Sequence, residues 1–357
     1  MPRAWRTWDL KLGAAAGLLG LISGIVMISA AATVNPGLAL RHAIWIGLGV
    51  LCGLAVAQVN YRQWADGAWL GYVISVGILA LVPVAGAMRL GATRWLSLWG
   101  LSVQPSELAK LATVWILARY LAGQPAPLSA RALALSAVLV GLPALLVFLQ
   151  PDLGSASILL AIWLGMVWAA GASGRLLAWL AVGVAALSPF AWHALKDYQR
   201  DRLMAFLNPH ADPLGTGYTI IQSVIAIGSG RLWGKGWFAG TQNQLSFLPE
   251  RHSDFIFSVV GEEWGLLGCL LVLVLVGVLL VRILRIAAES ADPHGRLFAI
   301  GVFAWLGYQT LVNMGMVMGL LPVVGVPLPL ISYGGSSMVM LWIALGMVQS
   351  VHRDTRL

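Results

Sequence analysis

Residues 297–351 read LFAIGVFAWLGYQTLVNMGMVMGLLPVVGVPLPLISYGGSSMVMLWIALGMVQSV, a run of 55 positions without one Asp, Glu, Lys or Arg. A bilayer crossing takes about 20 apolar residues at about 1.5 Å rise each, so the run is too long for one span and long enough for two. Its middle, residues 319–335, is rich in Gly and Pro and reads as the loop between them. The rest of the chain carries the same signature. Of its 357 residues 59% are hydrophobic and 10% charged, and mean hydropathy is +0.84, whereas a soluble domain has about 25% charged residues. That composition excludes a water-soluble fold.

Working outward, uncharged or nearly uncharged stretches at 12–32, 43–61, 67–88, 132–151, 153–174 and 176–195 read as spans. Residues 105–121 and 255–281 are apolar apart from a few charges, which brings the total to about ten. The expected fold is an all-α integral membrane protein, one polytopic domain over residues 1–357. Twelve Lys and Arg fall on one side of this alternation, from Arg3, Arg6 and Lys11 through Arg353 and Arg356, whereas the short loops opposite carry Arg41, Arg89 and Arg94. The positive-inside bias therefore puts both termini in the cytoplasm. Residues 193–253 become a large extracytoplasmic loop between helices seven and eight, and a long loop of this kind is usually functional. Within it, residues 213–230 are uncharged, yet Thr216, Thr219, Gln222 and Ser223 interrupt the apolar residues. That pattern suits a helix lying at the interface rather than an eleventh span.

Net charge is +8, but no basic run or stripe answers to a nucleic-acid partner. Cys52 and Cys269 lie in separate apolar stretches and read as packing residues. The basic start followed by residues 12–32 is too long for a cleaved signal and reads as the first span.

Ionisable residues inside spans are costly and mark function by default. Glu107 and Lys110 share one face of a helix opened by Pro105, either as a neutralised packing pair or as the lining of a polar cavity. Asp254 falls at the start of the eighth span, where an Asp is a favoured N-cap and also well placed to act on a head group emerging from lipid. Glu262 lies about 12 Å deeper on that helix and nearer the Asp254 face than Glu263, which makes it the candidate for a supporting role. The glycine-rich stretch 228–236 lacks the residues of a phosphate loop, since Ser229 and Gly236 stand at two required positions. It reads as a turn offering Arg231 and Lys235 to lipid phosphates, or as plain surface. His193, His210 and His252 have no zinc-like spacing.

Five motifs go further. They are Gly91-Ala92-Thr93-Arg94-Trp95, Gln104-Pro105-Ser106-Glu107-Leu108-Ala109-Lys110, Gln150-Pro151-Asp152-Leu153-Gly154, the block from Gly240-Thr241-Gln242 to Pro249-Glu250-Arg251-His252-Ser253-Asp254-Phe255, and Pro327-Leu328-Pro329-Leu330-Ile331-Ser332-Tyr333-Gly334-Gly335. Together they closely resemble the SEDS family (shape, elongation, division and sporulation), and the match runs nearly end to end. Tyr198-Gln199-Arg200-Asp201-Arg202 resembles its elongation branch rather than its division branch. Ser253 stands where Thr is commoner in the family, with the hydroxyl kept.

The resemblance implies a peptidoglycan glycosyltransferase that polymerises lipid II in a bacterial cytoplasmic (inner) membrane, with a class B penicillin-binding protein as transpeptidase partner. It implies Asp254 as general base, the role a weakly nucleophilic sugar hydroxyl requires. The departing lipid pyrophosphate needs positive charge, for which Arg94, Lys110, Arg200, Arg202 and a divalent cation, magnesium or manganese, all stand open. Trp95 matches a tryptophan linked to activity in the family and would equally serve as an interfacial anchor. Two other functions fit a multi-span chain, a lipid II flippase using Glu107 and Lys110, and a non-catalytic scaffold for the partner enzyme.

Overall fold

Helix starts follow from the caps that the sequence supplies. In this computed structural model, Asp9 accepts the Leu12 N–H at 2.9 Å and opens α1 (Leu10–Ala31). Ser129 opens α6 (Ala130–Leu149) through the Ala132 N–H, and Asp152 opens α7 (Leu153–Ala169) through the Ser155 N–H. Asp292 opens α12 (Pro293–Val317), with Pro293 in the first turn. Such caps satisfy donors that hydrocarbon could not. The structure describes residues 8–355 except 90–91, 99–100, 176, 180–181, 184–185, 187–191, 194 and 196.

The remaining long helices among the described residues are α2 (Gly37–Gln58), α4 (Ala68–Ala85), α5 (Pro105–Ala122), α11 (Ile256–Glu289) and α13 (Gly335–Thr355). Shorter ones are α3 (Tyr61–Asp66), α8 (Asp197–Leu207), α9 (Tyr218–Ser229) and α10 (Thr241–Gln244). Nine of the ten expected spans are thus helices, and the tenth, 176–195, lies largely outside the described residues. By length and composition α1, α2, α6, α11 and α12 are each able to cross a bilayer. With only 12 residues, α9 is too short to do so and packs against α11 instead.

The innermost helix is α5, buried along most of its length between α4, α7 and α12. At the edge, α2 and α13 approach through glycine. A Cβ on Gly346 would lie 2.2 Å from the Gly53 carbonyl oxygen, so only the smallest residue permits this contact.

Residues assigned to one side by the charge bias meet at one end of the bundle. There Arg282 pairs with Asp9, Arg62 with Asp354 at 2.9 Å, and the Tyr61 hydroxyl donates to Asp292 at 2.7 Å.

Two features depart from the sequence reading. The short loop after α4 holds a small antiparallel sheet, β1 (Ala87–Arg89), β2 (Ala92–Leu98) and β3 (Leu101–Val103), in the order β1-β2-β3. Of the three strands, β1 and β3 have three residues each and are too short to show a period of two. The other departure is α11, which runs 34 residues because it is two helices joined at Gly265, where φ is 65° and ψ −160°.

Candidate active site

Asp254 sits in a turn, residues 250–255, that is fastened from several directions. Three successive carbonyls accept hydrogen bonds: His252 from the Tyr333 N–H at 2.9 Å, Ser253 from the Ser332 hydroxyl at 2.6 Å, and Asp254 from the Asn313 amide at 2.8 Å. Beside them Arg251 is buried and donates through Nε to the Ala30 carbonyl at 3.1 Å and through Nη2 to Thr33. Phe255, not Asp254, occupies the N-cap position of α11, and no side chain caps it. The capping reading of Asp254 therefore fails.

The opposite wall comes from distant segments. Arg94 on β2 donates through Nε to the Gln150 carbonyl at 3.0 Å and through Nη2 to that of Pro151. Gln104 reaches Asp152 at 3.4 Å, and its backbone N–H donates to Ser336 at the start of α13. On α8, Arg202 donates to the Val323 carbonyl at 3.5 Å. A cleft opens between these groups, lined by Arg94, Pro151, Gln199, Arg202, Val323 and Val324. Next to Val324 stands Gly325, at φ 70°; a Cβ there would lie 3.4 Å from an Asp254 carboxylate oxygen and 3.9 Å from Arg202 Nη1. The carboxyl and the guanidinium thus converge on a residue that must lack a side chain.

Burial pushes the Asp254 carboxyl up to about 7, and the negative charges of Glu250 and Asp152 push the same way, against Arg202 and Arg94. Desolvation disfavours the ionised form, and the nearby arginines recover only part of that cost.

The other expected residues divide. Arg94 and Arg202 join Asp254, whereas Arg200 turns back to the carbonyls of Trp192 and His193 at 3.1 and 3.0 Å. Trp95 lies in β2 opposite Ala87, half-buried and adjacent to Arg94. Glu107 and Lys110 form an ion pair at 2.7 Å, both nearly inaccessible, with the ammonium 5.3 Å from the Trp305 ring centre. They form a buried ion pair in which, among the described residues, Glu107 Oε2 takes no hydrogen bond.

Glu262 is turned to a different task. It pairs with Lys235 at 2.8 Å and accepts the backbone N–H groups of Gln242 and Asn243, so it anchors residues 235–243 and does not touch Asp254. Asp152, Glu250, Gly325 and Asn313 enter the site without having been singled out as site residues. Asp152 and Glu250 stood within quoted motifs.

The stretch 228–236 exposes the side chains of Leu232 and Trp233 and spends its backbone on a second task. At the break in α11 the carbonyls of Glu262 and Glu263 accept the N–H groups of Lys235 and Gly236, and the N–H groups of Leu266 and Leu267 donate to the carbonyls of Arg231 and Leu232. Gly234, at φ 80°, allows the approach, since a Cβ there would lie 2.1 Å from the Glu263 carbonyl oxygen. The loop replaces the helix's missing hydrogen bonds with its own backbone.

Among the described residues no three His, Cys, Asp or Glu groups converge as ligands. The Asp152 oxygens already hold the Ser155 N–H and Gln104, and Glu250 holds the Ser253 hydroxyl at 2.9 Å.

A bundle of apolar helices with an ionisable cleft at one end defines a polytopic integral membrane protein. Residues 7–357 match the family model of FtsW, RodA and SpoVE, described as "Cell cycle protein". The chain is 44% identical over 338 residues to the peptidoglycan glycosyltransferase MrdB of Escherichia coli (strain K12), covering 94% of this chain and 91% of that one. Among solved structures it is similar to a chain from "Structural coordination of polymerization and crosslinking by a peptidoglycan synthase complex", with TM-score 0.85, 37% identity and 98% of each chain covered. It is also similar to the rod shape determining protein RodA of Thermus thermophilus, with TM-score 0.76, 32% identity and 99% of each chain covered. The chain belongs to the FtsW/RodA/SpoVE family.

Proposed function

We propose that this chain, a peptidoglycan glycosyltransferase, polymerises lipid II with Asp254 as general base. The observation that carries the reading is the Asp254 carboxyl held beside Arg202 and raised to about 7, so that near neutral pH it is poised between its two protonation states. In the reaction the carboxylate accepts the proton of an acceptor sugar hydroxyl as that oxygen bonds to the donor's anomeric carbon. The bond from that carbon to the lipid pyrophosphate breaks, and the leaving group carries away the electron pair. One base and no covalent intermediate give inversion. Arg202 and Arg94, facing the same cleft, stabilise the charge that develops on the pyrophosphate.

The setting is the bacterial cytoplasmic membrane, with the termini and the Asp9–Arg282 end inside and residues 193–253 outside. The inner excess of basic residues supports that orientation. The likeness to a chain of a peptidoglycan synthase complex supports a class B penicillin-binding protein as partner.

Asp254→Asn tests the assignment, because an amide fits the site but cannot take the proton. In vesicles with the partner enzyme, polymerisation of lipid II should fall by about 10²–10⁴-fold while the protein stays folded and partner-bound. Glycan strands at the parental rate would overturn it. A flippase would move lipid II without making strands, and a scaffold would do neither.

A further inference from the structure

Asn313 lies in α12, inside an uncharged run, and is fully buried. Its amide nitrogen donates to two carbonyls from segments about 70 residues apart in the chain, Asp254 at 2.8 Å and Val326 at 2.7 Å. One turn earlier Gln309, itself receiving the Trp305 indole N–H at 2.7 Å, donates to the Pro327 carbonyl at 2.8 Å. The helix thus presents two amides to the loop that carries Gly325, and of the two only Asn313 also holds the main chain of Asp254.

We infer that Asn313 is a positioning residue for glycosyl transfer, its amide fixing the separation between Asp254 and the loop that carries Gly325. The inference rests on the reading of Asp254 as base. Both amide hydrogens are spent, so any residue without them leaves two carbonyls without donors inside the bundle. The turn itself stays fastened, because Ser332 and the Tyr333 N–H hold the Ser253 and His252 carbonyls independently. Loss of Asn313 therefore frees the Asp254 main chain in particular and lets the carboxyl shift against Arg202. A displacement near 1 Å is enough to cost on the order of 100-fold in rate.

Full-length Asn313→Ala, Asn313→Gln and Asp254→Asn, each with the partner enzyme, would be assayed for lipid II polymerisation across substrate concentration and pH, beside thermal unfolding. For Asn313→Ala, kcat should fall on the order of 100-fold with KM nearly unchanged. The acid limb of its pH profile should move down as the carboxyl gains water, with Glu250, Arg202, Asp152 and Arg94 still facing it. Asn313→Gln keeps both donors one methylene further out and should recover part of kcat. It carries the same test if the alanine variant does not accumulate. Parental kcat in Asn313→Ala, or a loss of activity that only tracks thermal stability with the acid limb unmoved, overturns the inference. An active Asp254→Asn overturns the reading beneath it instead.

Discussion

Two carboxylates sit among basic groups in this bundle, and their surroundings are opposite. Glu107 has its cation one turn away on the same helix at 2.7 Å, and the pair is sealed under Trp305. Asp254 faces two arginines and two further carboxylates contributed by four other places in the chain, and among the described residues no hydrogen bond or ion pair closes on its carboxylate. A charge matched locally is held to its partner, and breaking such a pair leaves an uncompensated buried charge. A charge left unmatched keeps its affinity for a proton, and that is what a base needs. The difference teaches that intramembrane charge marks function only where its partner is missing or mobile.

The comparison breaks or sharpens on variants of each cluster. Lys110→Met leaves Glu107 buried alone and should cost about 3–5 kcal/mol of stability, seen as lost folded protein in thermal unfolding. Exchanging the two charges should restore most of it. A stable Lys110→Met protein that made no glycan would move the pair into the chemistry and erase the contrast. Arg202→Gln should keep its fold, lower kcat on the order of 100-fold and move the acid limb of the pH–rate profile upward, since Arg202 draws the Asp254 pKa down.

Glu250→Gln should act in the other direction and more weakly. Removing its charge lowers the Asp254 pKa, so the acid limb moves down. In the parent, kcat/KM should climb as pH rises through about 7, because only the ionised carboxylate accepts a proton. The folded state holds that proton more tightly than the unfolded chain. The residue's contribution to stability is therefore present below the usual carboxylate range and is lost as pH rises through about 7. The smallest effect belongs to Thr355→Cys, which should leave activity unchanged and resist an impermeant thiol reagent in intact cells. Labelling from outside would sink the ten-span orientation.

The spans were legible because each is a run of residues that lipid alone selects. The helix break was not, since Gly265 in an apolar run looks like any packing glycine until a second backbone is seen against it. Arg200 and Arg202 could not be ranked from sequence. Two residues apart on a helix they point about 160° away from each other, so one at most faces the cleft, and nothing in the motif says which. Asp254 was separable from a helix cap only through the family resemblance. Asn313 carries no charge in a run distinguished by having none, which is why composition passed over it.

The patch at Gly265 also bears on how the chain is made. Residues 231–236 are synthesised before α11, and their backbone groups must already be near the membrane when that helix partitions into lipid. Without them two carbonyls and two N–H groups would enter hydrocarbon unpaired, at several kcal/mol each. Residues 231–236 and the helix they mend therefore satisfy each other's backbone, and neither is complete without the other.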